Sequence, residues 1–260
     1  MEEMNGKLLI HFNTNEINVY SLQNGILKLM CKESIHFKQR CVNEVLVKEL
    51  AQVFCSLEKT FGALDNAITR VYATGVFQTF QSVEKTKLII RLYVDFGIYF
   101  NIIEPDLEDF YMKTSLTVDG CLDMMAGLVY QEFRQVVICG SFQEHLEDIG
   151  DIMERLRSRN IKILSPWTTK VVPETLGTDF ILLEGQKPLK NKRDAWSHKY
   201  EHMTKFRESD AVIVCNPDGV IGQGTMFEFG YMVAYSKRII LTNSPKALSI
   251  PFPYEIGLDF

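Results

Sequence analysis

The sequence predicts an α/β protein in which a parallel sheet covered by helices on both faces follows a smaller α/β unit. Three observations carry this. After residue 135, short apolar runs alternate with amphipathic helical stretches, the pattern of a parallel sheet with crossover helices. Before it, three β-type runs joined by turn residues lead into a further alternation of helix and strand. Between the apolar run Ala211–Cys215 and a helix opening at Gly224-Thr225 stands Asn216-Pro-Asp-Gly-Val-Ile-Gly-Gln223, a Gly/Asn/Asp loop of the kind that follows strands at ligand crevices. With 260 residues, 46% hydrophobic and 23% charged, the chain has room for one large or two modest globular domains.

In the first half, strands are predicted at Lys7–Phe12, Glu16–Tyr20 and Ile26–His36, separated by Asn13-Thr14-Asn15 and Asn24-Gly25. A helix over Asn43–Phe61 follows from apolar residues at Val45, Leu46, Leu50, Val53, Phe54 and Leu57. A strand at Ile68–Thr74, a helix at Ser82–Asp95, a strand at Tyr99–Ile103 and a short helix from Asp106 complete this unit. The stretch 114–135 is read as helical near Met124–Phe133 and as the domain boundary, giving domains 1–120 and 134–260. In the second half the elements are strand Val136–Cys139, helix Glu144–Arg159, strand Ile161–Leu164, a polar stretch with a short strand at Phe180–Leu183, helix Asp194–Glu208, strand Ala211–Cys215, helix Gly224–Ser236 and strand Arg238–Thr242.

The net charge of -5 gives no general reason to expect nucleic acid as a partner. No apolar run reaches the length of a membrane span, and the acidic N-terminus lacks a signal-type apolar block. The six cysteines, Cys31, Cys41, Cys55, Cys121, Cys139 and Cys215, form no CxxC pair. A reduced, cytoplasmic setting is the expectation.

Ligands of such sheets gather beyond the carboxyl ends of the strands. Gly140-Ser141-Phe142, Ser165-Pro166-Trp167 and Asn216–Thr225 all fall there and should converge. Gly140 permits close backbone approach, and Ser141 can cap a helix or bind a ligand oxygen. Glu228 is placed in the first turn of its helix, beside an N-terminus able to hold an anionic or hydroxyl-bearing ligand. With Thr225 as N-cap, the same glutamate also completes a capping box. Gly222 and Gly224 favour ligand approach, since a cap alone does not require both. His198 and His202, at i and i+4, could share a face, but no third ligand at a diagnostic distance supports a metal, and none is expected. Trp167 could stack on a base. The run Lys187, Lys190, Lys192 and Arg193 could meet phosphate or form a solvated loop.

The motifs Ile138-Cys-Gly-Ser-Phe142, Tyr200-Glu-His-Met-x-x-Phe-x-x-Ser-Asp210 and Gly222-x-Gly-Thr-x-x-Glu-x-Gly230, with Ala234 and Lys237-Arg-Ile-Ile, resemble those of nucleoside 2-deoxyribosyltransferases and 2'-deoxynucleoside 5'-phosphate N-hydrolases over about residues 135–245. The resemblance implies a flavodoxin-like sheet, homo-oligomers, and Glu228 as nucleophile at an anomeric carbon. His202 stands where that family places an aspartate, and Gln143 where its nucleotide hydrolases offer an arginine. The hairpin Leu8–Tyr20, Arg70-Val-Tyr-Ala-Thr74 and Tyr99-Phe-Asn-Ile-Ile103 resemble the opening subdomain of exopolyphosphatases and actin-like ATPases, with His11 in place of an aspartate. No catalysis is assigned to that half.

The expected activity is therefore cleavage of the N-glycosidic bond of a nucleoside or nucleotide through a covalent glycosyl-enzyme. Glu228 would attack, His202 would protonate the departing base, and Tyr200 would position nearby groups. Gly140, Ser141, Phe142, Pro166, Trp167, Asn216, Asp218, Gly222, Gly224 and Thr225 would bind the substrate. NAD hydrolysis at the same site and a non-catalytic nucleotide sensor are the alternatives. No cofactor is called for.

Overall fold

The computed structural model describes residues 7–23, 26–39, 41–65, 68–117, 133–178, 180–246 and 252–257. The chain divides into two units: Met1–Glu132 with Pro251–Glu255, and Phe133–Ile250 with Ile256–Phe260. The return of the late segment to the first unit had no signal in the sequence.

The first unit opens with β1 (Lys7–Phe12), β2 (Glu16–Gln23) and β3 (Ile26–Ser34), followed by α1 (Glu44–Phe61), β4 (Thr69–Ala73), α2 (Ser82–Phe96), β5 (Phe100–Ile102) and α3 (Pro105–Thr117). Its sheet has the order β3-β2-β1-β4-β5, with β1–β2 and β2–β3 antiparallel and β4 and β5 parallel additions. This is the RNase H/actin-like half. The period of two in β1 divides its side chains between two cores. Leu8, Ile10 and Phe12 meet Leu46, Leu50, Phe54 and Leu57 of α1 and Leu88 and Leu92 of α2, while Leu9 joins Tyr20, Tyr72, Ile103 and Tyr111 on the other face. Asn43 caps α1 by accepting from the Leu46 amide at 3.0 Å, the short-side-chain cap that starts a helix where an apolar stripe begins. His11 is buried, its Nε2 2.8 Å from Thr74 Oγ1.

The second unit runs β6 (Gln135–Gly140), α4 (Leu146–Ser158), β7 (Lys162–Ser165), α5 (Lys192–Glu208), β8 (Ala211–Cys215), α6 (Gln223–Ala234), β9 (Arg238–Leu241) and β10 (Glu255–Ile256), at whose Ile256 the chain re-enters this unit. The sheet order β10-β9-β8-β6-β7, with the β6–β7, β6–β8 and β8–β9 pairs parallel, is the flavodoxin-like arrangement with helices on both faces. Val136 and Ile138 pack on Ile149, Ile152, Met153 and Leu156 of α4, whereas Cys139 points the opposite way and meets α5. The chain reverses direction across the sheet between β6 and β8, and a crevice opens there.

Several local expectations are corrected. Phe180–Leu183 is not a strand; a single antiparallel bridge, Val171 to Leu183, is all that forms there. Helix α4 starts at Leu146 instead of Glu144, because Ser141 accepts from the Glu144 amide at 3.3 Å and holds a turn ahead of the helix. Helix α6 starts at Gln223 with Gly222 as N-cap. Thr225 is therefore inside the helix, Glu228 lies in its second turn, and no capping box forms. The helix expected near Met124–Phe133 lies outside the described residues apart from Phe133.

Candidate functional site

A cleft of about 390 Å³ lies beyond the carboxyl ends of β6 and β7 and against α5 and α6. Its lining brings together Gly140, Ser141, Phe142, Pro166, Trp167, His202, Gly222, Gly224, Thr225 and Glu228, all anticipated from the sequence. Gly140 has φ +154°, and a Cβ there would fall 2.9 Å from the Cys215 carbonyl oxygen. The turn leaving β6 is thus pressed against β8, which only glycine allows. A Cβ on Gly222 would meet nothing within 4 Å, so the start of α6 borders open space.

At the floor, Glu228 is nearly inaccessible, its side chain 4% exposed. Its Oε1 accepts from Lys199 Nζ at 2.6 Å and lies 3.4 Å from His202 Nε2. The carboxylate is thus held by two side chains of α5 and does not tie down its own helix. His202 Nδ1 is 2.7 Å from Ser165 Oγ, and its Nε2 is also 3.4 Å from Cys139 Sγ. Burial pushes the His202 pKa below its ordinary value; Glu228 opposes that shift and Lys199 adds to it. Burial, reinforced by Glu228, pushes the Cys139 thiol well up, so it stays protonated. A neutral imidazole and a neutral thiol next to a paired carboxylate make a proton-handling group with Glu228 at its centre.

The wall opposite is built by residues 166–178 and 180–191 of the polar stretch. Trp167 Nε1 donates to the Glu184 carbonyl at 3.1 Å, and Arg157 donates to the Trp167 carbonyl at 2.8 Å. Gln143 Nε2 donates to the Thr178 carbonyl, tying this wall to the turn after β6. Phe180 stacks on His198 with ring centroids 6.4 Å apart, and His198 Nε2 is 2.9 Å from the Lys187 carbonyl. Phe142, Trp167, Phe180, Ile181 and Leu183 give the cleft a mostly apolar, aromatic side facing the polar floor.

Other expected residues stand elsewhere. Tyr200 is 51% exposed and does not line the cleft, since residues two apart on a helix project to nearly opposite sides. Asn216 is fully buried and bonds to Thr242 and Asn243, joining the ends of β8 and β9. Asp218 borders a separate shallow depression with Gly219, Asn243 and Lys246. The histidine pair does not act as one: His198 is held by backbone in the wall, and His202 by the floor. Sequence reasoning placed Ser165 at the crevice, and missed Lys199, Cys139 and the wall residues Phe180, Ile181 and Leu183. Lys199 had a usable signal, because it precedes His202 by three residues and so shares its helix face; the wall had none.

No family model and no curated protein matches this chain. Among solved structures, it is similar to an Aquifex aeolicus member of the Ppx/GppA family at 11% identity and a TM-score of 0.32, covering 80% of this chain and 65% of that one. A structure of the Aquifex aeolicus PPX-GPPA enzyme gives 11% identity and a TM-score of 0.34, covering 88% of this chain and 80% of the other. An exopolyphosphatase from Cytophaga hutchinsonii gives 11% and 0.32, covering 80% and 66%. The chain thus spans about two-thirds of the length of the Aquifex family member and of the Cytophaga enzyme. These names agree with the resemblance drawn from the first half; likeness at this level carries no argument about chemistry.

The expected N-glycosidic cleavage, with its deoxyribosyltransferase and NAD-hydrolase variants and the nucleotide-sensor alternative, is corrected. The solved structures named above are Ppx/GppA and exopolyphosphatase proteins, not N-glycosidases. The site itself weakens that reading. With its pKa lowered by burial, His202 is a neutral imidazole near neutrality and a poor general acid for a departing base, and Tyr200 faces away from the cleft. No helix among the described residues is long and apolar enough to cross a membrane.

Proposed function

We propose that the second unit hydrolyses a small phosphorylated molecule of nucleotide type, with Glu228 accepting the proton of the attacking water. The supporting observation is the placement of Glu228 at the cleft floor, 2.6 Å from Lys199 Nζ and 3.4 Å from His202 Nε2. A cation beside a carboxylate suits phosphoryl transfer: Lys199 neutralises the phosphate oxygens while Glu228 deprotonates water. The first turn of α6, through Gly222, Gly224 and Thr225, borders the same cleft and favours an anion by its unpaired backbone amides and dipole. Ser141 and the turn after Gly140 supply further polar contacts. The apolar side, with Phe142, Trp167 and Phe180, suits an aromatic base.

In this scheme the water oxygen attacks phosphorus, its proton passes to Glu228, and the phosphorus–oxygen bond to the leaving group breaks. His202, neutral and fixed by Ser165, orients the carboxylate. The partner is a small molecule, and the free thiols of Cys139 and Cys215 suit a reduced, cytoplasmic setting. The exposed aromatics Trp196, Tyr200 and Phe227 on α5 and α6 support association of copies of the chain, which sedimentation would measure.

The test incubates the full chain with nucleoside mono-, di- and triphosphates and short polyphosphates, and reads inorganic phosphate and nucleobase products by chromatography. Phosphate release that falls by about 10²–10³ in Glu228→Gln is expected. Release of free base with phosphate left on the sugar, or full phosphate release by Glu228→Gln, overturns the proposal.

A further inference from the structure

The floor of the cleft holds a second chemical possibility that the hydrolytic scheme does not use. Cys139 at the end of β6, His202 on α5 and Glu228 on α6 each offer one donor atom, and Sγ, Nε2 and a carboxylate oxygen all lie within 4.8 Å of one another. The Sγ–Nε2 and Nε2–Oε1 separations are both 3.4 Å. Tetrahedral zinc has bonds of about 2.3 Å to sulfur and about 2.0–2.2 Å to nitrogen and oxygen, which sets ligand–ligand edges at roughly 3.3–3.6 Å. Two of the three edges of a tetrahedral face are therefore already near their bonded length, and the third, Sγ to the carboxylate, is within 4.8 Å.

We propose that Cys139, His202 and Glu228 form a three-ligand site for a divalent transition-metal ion, zinc by its donor set, with the fourth position open to the cleft. Three features of the surroundings fit. Each ligand sits on a different regular element, so the geometry is set by the packed sheet and its helices, not by a loop. The Nδ1 of His202 is engaged by Ser165 Oγ at 2.7 Å, the outer contact that fixes a ligating imidazole so that its other nitrogen faces the ion. The set of one thiolate, one imidazole and one carboxylate, with an open position, belongs to the pattern of catalytic and not structural zinc sites. Lys199 is the competing cation. Its side chain is 28% exposed, and its flexible stem lets the ammonium turn towards an anionic ligand in the cleft while the ion takes the Glu228 oxygen. A thiol ligates only after losing its proton, so loading releases a proton to solvent and affinity rises with pH. A bound ion would supply a water of lowered pKa at the open position. This inference shares Glu228 and His202 with the hydrolytic scheme but adds Cys139, which that scheme does not use, and the scheme itself needs no ion.

The experiment titrates chelator-treated full-length protein with Co²⁺ and follows absorbance and proton release. One equivalent is expected to bind with a thiolate-to-cobalt charge-transfer band, to release one proton, and to be displaced by Zn²⁺. Cys139→Ser should abolish the band, while Cys41→Ser, at an exposed thiol, should leave it. X-ray absorption of the zinc-loaded wild type should show one sulfur in the metal's shell, a reading that needs no variant to fold. Absence of binding, a shell without sulfur, or an unchanged band in Cys139→Ser overturns the proposal. Metal binding by a protein that releases no phosphate with or without the ion sustains the site and sinks only the hydrolytic reading; phosphate release by a metal-free protein that takes up no Co²⁺ does the converse.

Discussion

Replacing Lys199 by methionine isolates the electrostatics of the cleft floor. Glu228 is 4% exposed and Lys199 28%, with 2.6 Å between Nζ and Oε1. Removing one partner of a fully buried pair costs about 3–5 kcal/mol, whereas solvent-exposed pairs contribute about 0.2–1 kcal/mol. With the lysine partly in water and His202 remaining as a polar neighbour, the cost should fall between these, at about 2–3 kcal/mol. For a unit of this size, a urea slope of about 1.5–2 kcal/mol/M turns that into a midpoint lowered by roughly 1–2 M. The same loss should not appear when the carboxylate is also removed: in Glu228→Gln the lysine has no buried charge to balance, so adding Lys199→Met costs little more. A double-mutant cycle followed by urea unfolding, with circular dichroism as the probe, should give a coupling well above the 0.3–0.5 kcal/mol scatter of independent sites. Additive single effects would refute the reasoning, showing that the contact contributes geometry without energy.

Three further outcomes follow from the structure. His202 has its pKa lowered from the usual 6.5 by burial, so the unfolded chain binds its proton more readily. Its contribution to stability is complete above about pH 6.5 and is lost as pH falls below that value. Urea midpoints measured from pH 8 to pH 5 should fall less steeply in His202→Gln than in the wild type. Gly140→Ala places a Cβ 2.9 Å from the Cys215 carbonyl oxygen and 3.1 Å from its Cβ; a loss of about 1–3 kcal/mol in denaturant unfolding is expected, and an unchanged midpoint would show that the turn can give way. With two tryptophans in the chain, Trp196→Phe leaves Trp167 as reporter. Nucleotide addition should change its fluorescence, while the complementary Trp167→Phe protein should stay silent if the aromatic side of the cleft receives the base.

The elements themselves were largely legible. Ala211–Cys215 was read with both ends correct, because a run buried on both faces announces itself by continuous apolar residues bounded by Asp210 and Asn216. Helix α1 was legible for a related reason: Leu46, Leu50, Phe54 and Leu57 repeat at helical spacing behind an Asn43 cap. The N-cap of α6 was misplaced by three residues, since Gly222 as well as Thr225 can serve as a cap and local chemistry does not choose between them.

Sequence alone determined that strands and helices alternate, that glycine-rich turns follow the strands, and that Glu228 lies near one of those turns, for these depend on neighbours along the chain. Tertiary structure decided which side chains meet it. Rotation of α5 puts Lys199 and His202 on Glu228 and turns Tyr200 outward, strand order lays Cys139 beneath them, and the irregular stretch after β7 folds back to supply Phe180. Those encounters join residues dozens of positions apart, and the helical and strand periods that reveal burial carry no information about which element lies across the gap.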